Sequence, residues 1–305
     1  MTEALRVSHP GILTTIQDGG RPNAVASGVP AGGAMDRFAH SAANLIVGND
    51  RGAATLECTL TGPRLVAIKP CVIAITGGDL GPSIPMWTAV ELAAGDEVAF
   101  AGRRSGARAY IAIGGGVIGD RWLGSMSTNL MCARGGMDGR ALVAGDVIWT
   151  GEWHDPPVAG RTLVEQLRPE YAHRSLRVIR GPHFARLTHG SQQDLWTAMF
   201  TVSSTSNRMG FRLDGAALEA PGDELLSFPL VAGVVQLPSG GQPILLMADH
   251  QTAGGYPVVA VVTSASMPVA AQLAPGDELR FEETSIEDAL RARAAQRAAL
   301  ESLTS

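Results

Sequence analysis

Short apolar runs ended by Gly, Pro or Asp recur along the whole chain, and they are of β type. "CVIAITGG" from 71, "ARAYIAIGGG" from 107, "LRVIRG" from 176, "GVVQLP" from 233, "PILLMA" from 243 and "PVVAVVT" from 257 each read as a strand closed by a turn residue. The element Leu-x-x-Gly-Asp, followed by alternating apolar positions, occurs three times: "LAAGDEVAF" at 92–100, "LVAGDVIW" at 142–149 and "LAPGDELRF" at 273–281. Its Gly supplies a positive φ and its Asp a local hydrogen bond, so each copy predicts a turn at the start of a hairpin. Helices are few. "MDRFAHSAANLIVGN" predicts one with Asp36 as N-cap, an apolar stripe of Phe38, Ala42, Leu45 and Ile46, and a stop at Gly48. "SIEDALRARAAQRAALESL" from 285 predicts a terminal helix started by Ser285 and Asp288. Regular short strands with so few helices predict a mainly β fold of barrels or sandwiches.

Length changes this picture by allowing two cores: 305 residues exceed one small domain. The polar, Pro-containing stretch 154–175 is the natural boundary. The expected division is a β-rich lobe over 1–160, a second β lobe over 175–283, and a helix or tail over 284–305.

Composition removes whole classes of chemistry. A net charge of -5 and the absence of any basic run argue against nucleic acid or an anionic membrane as partner. The N-terminus lacks a charged-then-apolar leader and no run of about 18 apolar residues occurs, so a soluble, cytoplasmic protein is expected. Cys58, Cys71 and Cys132 show no C-x-x-C pairing and read as small core residues. The only lysine is Lys69, followed by Pro70, so no P-loop can form. Gly114, Gly116 and Gly119 match G-x-G-x-x-G, but no helical period follows, and a dinucleotide site is not expected. The histidines have no metal-ligand spacing, so no metal is expected; His40 reads as solvent-facing. No G-x-S-x-G is present.

What remains is a set of small polar clusters at strand ends. They hold Gln17, Asp18 and Arg21; Asp36 and Arg37; Thr76 and Asp79; Asn207, Arg208 and Met209; and Asp249, Gln251, Thr252 and Tyr256. Glycines beside them, including Gly254 and Gly255, would let backbone amides approach a ligand, while carboxamides, carboxylates and hydroxyls supply paired donors and acceptors. That chemistry suits an amide-like or ureido substrate. Asx turns and tight hairpins would use the same residue types.

"PGILTTIQDGGRP", "GVPAGGAMDRFAHSAANLIVGN", "AITGGDLG", "NRMGFRL" and "ADHQTAGGYP" together resemble the allophanate hydrolase subunit 2 family. These are biotin-dependent carboxyltransferase-like proteins that include KipA and the C-type subunits of 5-oxoprolinase. The resemblance runs from about residue 6 to about 283. It implies two cyclophilin-like β-barrel lobes and a KipI-like partner protein. With a lactam-utilisation protein as third member, such a pair forms an ATP-dependent 5-oxoprolinase, inactive as this chain alone. It also implies two alternatives: carboxyl transfer from carboxybiotin to urea or another amide, with the biotin carried by another protein, and regulation by binding a KipI-like histidine-kinase inhibitor. The chain departs from the family pattern at Asn23-Ala24, Asn207, Phe211, His250 and Ala253. Under the leading reading Asp249 serves as base or amide N–H acceptor, and Gln251 and Thr252 orient the amide. Asn207 and Arg208 hold a carboxylate or phosphate, Gly254 and Gly255 turn backbone amides to the ligand, and Tyr256 closes one wall. Gln17, Arg21 and Asp36 are the candidates from the first lobe. The ATP site is expected to lie largely outside this chain, which has no P-loop.

Overall fold

The computed structural model describes residues 1–152, 160–223 and 225–304. His154 and the start of the expected boundary stretch lie outside the described residues. The chain divides into two compact units, one of residues 1–21, 32–171 and 296–305, the other of 22–31 and 172–295. The protein is mainly β, as its turn-punctuated apolar runs predict.

In the first unit the strands form two five-stranded sheets. One runs in the order Glu97–Val98, Arg64–Ala67, Thr2–His9, Val147–Thr150, Val117–Ile118; the other runs Leu13–Gln17, Thr55–Thr59, Ser105–Ile113, Cys71–Asp79, Ala89–Leu92. Why "CVIAI" is apolar at every position follows from strand geometry, because successive side chains point to opposite faces and both faces are covered. Ile73 and Ile75, with Ile111 and Ile113 from the neighbouring strand, join Leu5, Leu65 and Ile148 in the core between the sheets. Val72 and Ala74, with Tyr110 and Ala112, face the helix Arg37–Ile46 through Phe38, Ala42 and Ile46. Each of the four isoleucines is fully buried, and each stabilises the fold by about 2 kcal/mol. The helix starts where expected, with Asp36 Oδ1 accepting from Ala39 N at 2.9 Å, and stops at Gly48 with φ 81°. The same cluster takes in Ala299 and Leu300 from the end of the helix Ile286–Glu301, and Leu303 beyond it.

The second unit is built on a closed barrel of Ser175–Arg180, Val258–Val262, Val234–Gln236, Ile244–Leu246, Gly210–Asp214, Phe200–Val202 and Glu278–Glu283. A parallel pairing of the first and last of these strands closes it, with Leu176 beside Phe281. The terminal helix begins as expected, Ser285 Oγ accepting from Asp288 N at 3.0 Å.

The three Leu-x-x-Gly-Asp elements adopt one shared design. Gly95, Gly145 and Gly276 have φ of 93°, 97° and 85°. Asp96, Asp146 and Asp277 each accept from the backbone N–H three residues earlier, all at 2.8 Å. They do not start hairpins. Each turn docks on a strand distant in sequence: Gly95 N donates to Ala67 O, Gly145 N to Val7 O and Gly276 N to Val202 O, each at 2.8 Å. The strand that follows then pairs antiparallel with that same distant strand. Local chemistry sets the turn, while its partner is set by which buried face the next strand must complete. Asp277 also pairs with Arg174 at 3.0 Å. Replacing Asp277 with Ala is expected to cost about 1–2 kcal/mol in denaturant unfolding, and Asn, which keeps the local acceptor, to cost less.

Two further expectations change. His40 is 2% exposed rather than solvent-facing, because its helix is covered on that side too; its Nε2 lies 2.9 Å from Ala53 O. Of the cysteines only Cys58 is buried; Cys71 is half-buried and Cys132 is exposed. Among the described residues no helix is long and apolar enough to cross a membrane.

Candidate functional site

In the second unit the register of the barrel gathers the candidates. Gly210 pairs with Leu246, so the turn 207–209 and the segment starting at Met247 leave the barrel together. Met247 N then donates to Met209 O at 3.0 Å, and Asp249 N to Arg208 O at 2.8 Å. The side chains also meet: Arg208 Nε lies 2.8 Å from Asp249 Oδ2 and Nη2 lies 3.2 Å from Oδ1. This two-point ion pair is only 10% and 14% exposed on its two side chains, which makes it geometrically well defined. The expected base and the expected anion-holding arginine are thus engaged with each other. Asn207 Oδ1 caps its own turn, accepting from Met209 N at 2.8 Å. Asn207 itself is exposed.

Residues 247–257 return along the barrel wall, because Val258 pairs with Gln236, and Gln236 also pairs with Ile244, at the other end of the Leu246 strand. On the way His250 is buried, its Nδ1 lying 2.6 Å from Gln251 O. Gln251 Nε2 donates to Gln236 Oε1 at 3.0 Å. Thr252 O accepts from Leu230 N at 2.9 Å, and Gly254 pairs with Phe228. Gly254 passes so close to the barrel that a Cβ there would sit 3.0 Å from Leu230 Cδ1 and 3.2 Å from Gln236 Nε2. Gly255 and Tyr256 then reach a cleft of about 640 Å³, whose other walls include Arg186, Glu219, Asp223, Leu237 and Pro238. Tyr256, 49% exposed, forms part of one wall. The expected site is therefore strung along one segment: ion pair, carboxamide pair, glycine crossing, aromatic wall.

Gln17, Arg21 and Asp36 belong to the first unit, where all three are buried. Gln17 Nε2 donates to Thr15 Oγ1 at 3.0 Å and Thr128 O at 3.2 Å. Arg21 donates to Ser127 O and lies over the Trp122 ring at 4.8 Å. Asp36, besides capping its helix, accepts from Tyr171 Oη at 2.7 Å. The glycine-rich loops around them are brought face to face, since a Cβ on Gly33 would stand 2.9 Å from Gly20 N and 3.0 Å from Asp18 O.

Sequence reading missed the polar network that supports these loops. Glu57 Oε2 accepts from Met35 N at 2.9 Å and Tyr110 Oη at 2.8 Å, and Tyr110 Oη accepts from Asp36 N at 2.7 Å. Burial, followed by the neighbouring carboxylates, pushes Tyr110 and Tyr171 well above the ordinary phenol range, so both remain protonated donors. Asp18 accepts from Ser125 Oγ, Ser127 Oγ and Met126 N, each at 2.6 Å, and from Gly20 N at 2.8 Å. Burial raises its carboxyl, but these hydrogen bonds outweigh burial and hold it below its usual value. A charged Glu57 inside the otherwise uncharged strand "TLECT" was the available signal.

Among the described residues no group of three or more His, Cys, Asp and Glu could hold a metal. Of the second-unit candidates Gly255 and Tyr256 line the cleft, whereas Arg208, Asp249 and Gln251 are not among its lining residues.

The family model described as carboxyltransferase domain, subdomain A and B, matches residues 27–283. The chain is 37% identical to the C subunit of 5-oxoprolinase from Escherichia coli K12, over 98% of this chain and 97% of that protein. It is 33% identical to the C subunit of 5-oxoprolinase from Haemophilus influenzae, over 92% and 91%. The crystal structure of Kluyveromyces lactis urea amidolyase superposes with a TM-score of 0.92 at 28% identity, covering 99% of this chain but only 20% of that one. These matches span both units, and the chain belongs to the carboxyltransferase domain family, subdomain A and B, together with the 5-oxoprolinase C subunits.

Proposed function

We propose that the chain is one component of a heteromeric ATP-dependent 5-oxoprolinase that opens the lactam of 5-oxoproline to glutamate. The observation that carries this reading is the end-to-end match to proteins named as the C subunit of 5-oxoprolinase. Its partners are a KipI-like protein, of the kind that forms the B subunit of 5-oxoprolinase, and a lactam-utilisation protein.

A lactam resists hydrolysis, and ATP as co-substrate makes its carbonyl carbon open to water. The chain has one lysine, followed by Pro70, and no P-loop, so the nucleotide is handled mainly by the partner proteins. This chain binds and orients. Arg208 takes the substrate carboxylate, which competes with Asp249 for the guanidinium. Asp249, released from one of its contacts, accepts the proton of the attacking water. Gln251 and Thr252 orient the lactam amide, the Gly254-Gly255 backbone faces the ligand, and Tyr256 closes the wall.

A second reading is supported by the structural match to urea amidolyase: carboxyl transfer to urea or another amide from carboxybiotin carried on another protein. Co-expression with the KipI-like and lactam-utilisation proteins decides between them. The expected result is co-purification, ATP-dependent glutamate release by the assembly, and none by this chain alone. An assembly that is inert toward 5-oxoproline but accepts carboxyl groups onto urea would overturn the first reading in favour of the second.

A further inference from the structure

Gln236 ends the barrel strand Val234–Gln236 and is 1% exposed. Its side chain lies beside an apolar cluster of Leu230, Val234, Leu246 and Val258, since a Cβ on Gly254 would stand 3.0 Å from Leu230 Cδ1 and 3.2 Å from Gln236 Nε2. An aliphatic side chain would fit that setting, yet a carboxamide occupies it. Its Oε1 accepts from Gln251 Nε2 at 3.0 Å, while its own Nε2 is buried with no hydrogen-bond partner among the described residues. A buried donor left unpaired destabilises a fold, so Gln236 contributes less to stability than an apolar residue would. The bond to Gln251 is the one hydrogen bond its side chain makes among the described residues. The backbone accommodates the pair at Gly254, where a Cβ would lie 3.2 Å from Gln236 Nε2 and 3.6 Å from Gln251 Nε2.

We propose that Gln236 is a positioning residue that fixes the orientation of the Gln251 carboxamide and thereby selects substrates presenting an amide N–H. With Nε2 turned to Gln236, Gln251 directs Oε1 away from it, and among the described residues that oxygen accepts no hydrogen bond. An oxygen so presented pairs with the N–H of a lactam or other secondary amide and rejects an N-substituted one. The identity of the lactam rests on the 5-oxoprolinase reading; the coupling of Gln236 to Gln251 does not.

The test uses Gln236→Leu, Gln251→Leu and the double variant in the assembled complex, with 5-oxoproline and its N-methyl analogue. The wild type is expected to discriminate against the N-methyl compound. Gln236→Leu is expected to raise KM for 5-oxoproline about tenfold with a smaller effect on kcat, and to narrow that discrimination. It should do so with an unchanged or higher melting temperature, because it removes an unpaired buried donor. In the Gln251→Leu background the Gln236 substitution should add nothing. Wild-type kinetics in Gln236→Leu, or additive losses in the double variant, overturn the proposal. A wild-type complex inert toward 5-oxoproline sinks the substrate reading instead, and the coupling is then decided on the full chain alone. There the ¹⁵N side-chain amide signals of Gln251, assigned by their loss in Gln251→Leu, must shift in Gln236→Leu; unshifted signals refute the coupling.

Discussion

Asp249→Ala is expected to lower ATP-dependent glutamate release by the assembled complex about 10³-fold, the scale of losing a positioned base. The substitution has two effects that must be separated. It removes the carboxylate, and it strands the guanidinium of Arg208, which is only 10% exposed on its side chain. Stranding a largely buried charge costs about 3 kcal/mol of stability in its own right. Asp249→Asn divides the two, because an amide still accepts from Arg208 Nε but cannot take a proton from water. If Asp249 acts as base, the Asn variant melts close to wild type and is nearly as inactive as the Ala variant. Should the Asn variant turn over normally, Asp249 is a structural counter-ion and the proposed chemistry passes to another group.

The second large effect is on acid stability and centres on His40. Burial, joined by Arg37 and only partly offset by the bond to Ala53 O and by Asp18 and Glu57, lowers its pKa from 6.5 to about 4. The folded state therefore holds His40 neutral where the unfolded chain would protonate it. As pH falls from 6.5 toward 4 the unfolded state binds the extra proton and stability drops, by about 3 kcal/mol over the full window. Below that window the folded state protonates too and this contribution levels off. Asp18, held below its usual value of 3.8, loses its own contribution only as pH falls further. His40→Gln keeps a donor toward Ala53 O and removes the titration. Denaturant unfolding of this variant between pH 7 and pH 4 should show a flatter dependence; a slope equal to that of the wild type would refute the assignment.

How far the sequence was legible differs from element to element. The helix Arg37–Ile46 was readable to its cap, because Asp36, the apolar stripe and Gly48 act within one segment. His40 on that same helix was misplaced, since helical period alone does not say that a second buried side exists. The Leu-x-x-Gly-Asp turns were readable as turns but not as docking points, because their φ is local and their strand partner is not. Asp249 and Arg208 were singled out separately for their polarity beside glycine, yet nothing in either motif says that they pair with each other across 41 positions.

By itself, then, the chain determined everything that depends on near neighbours: where strands end, which helix is capped, the absence of a P-loop, and the five motifs that mark the family. Only the tertiary structure decided which polar groups are buried and what they touch. The pairing of Gly210 with Leu246 brings Arg208 to Asp249, and that of Gln236 with Val258 lets Gly254 pass over a buried carboxamide. The physical reason is that a closed barrel converts register into proximity. Register is chosen by the sum of all buried faces around the ring, a quantity that no single motif contains.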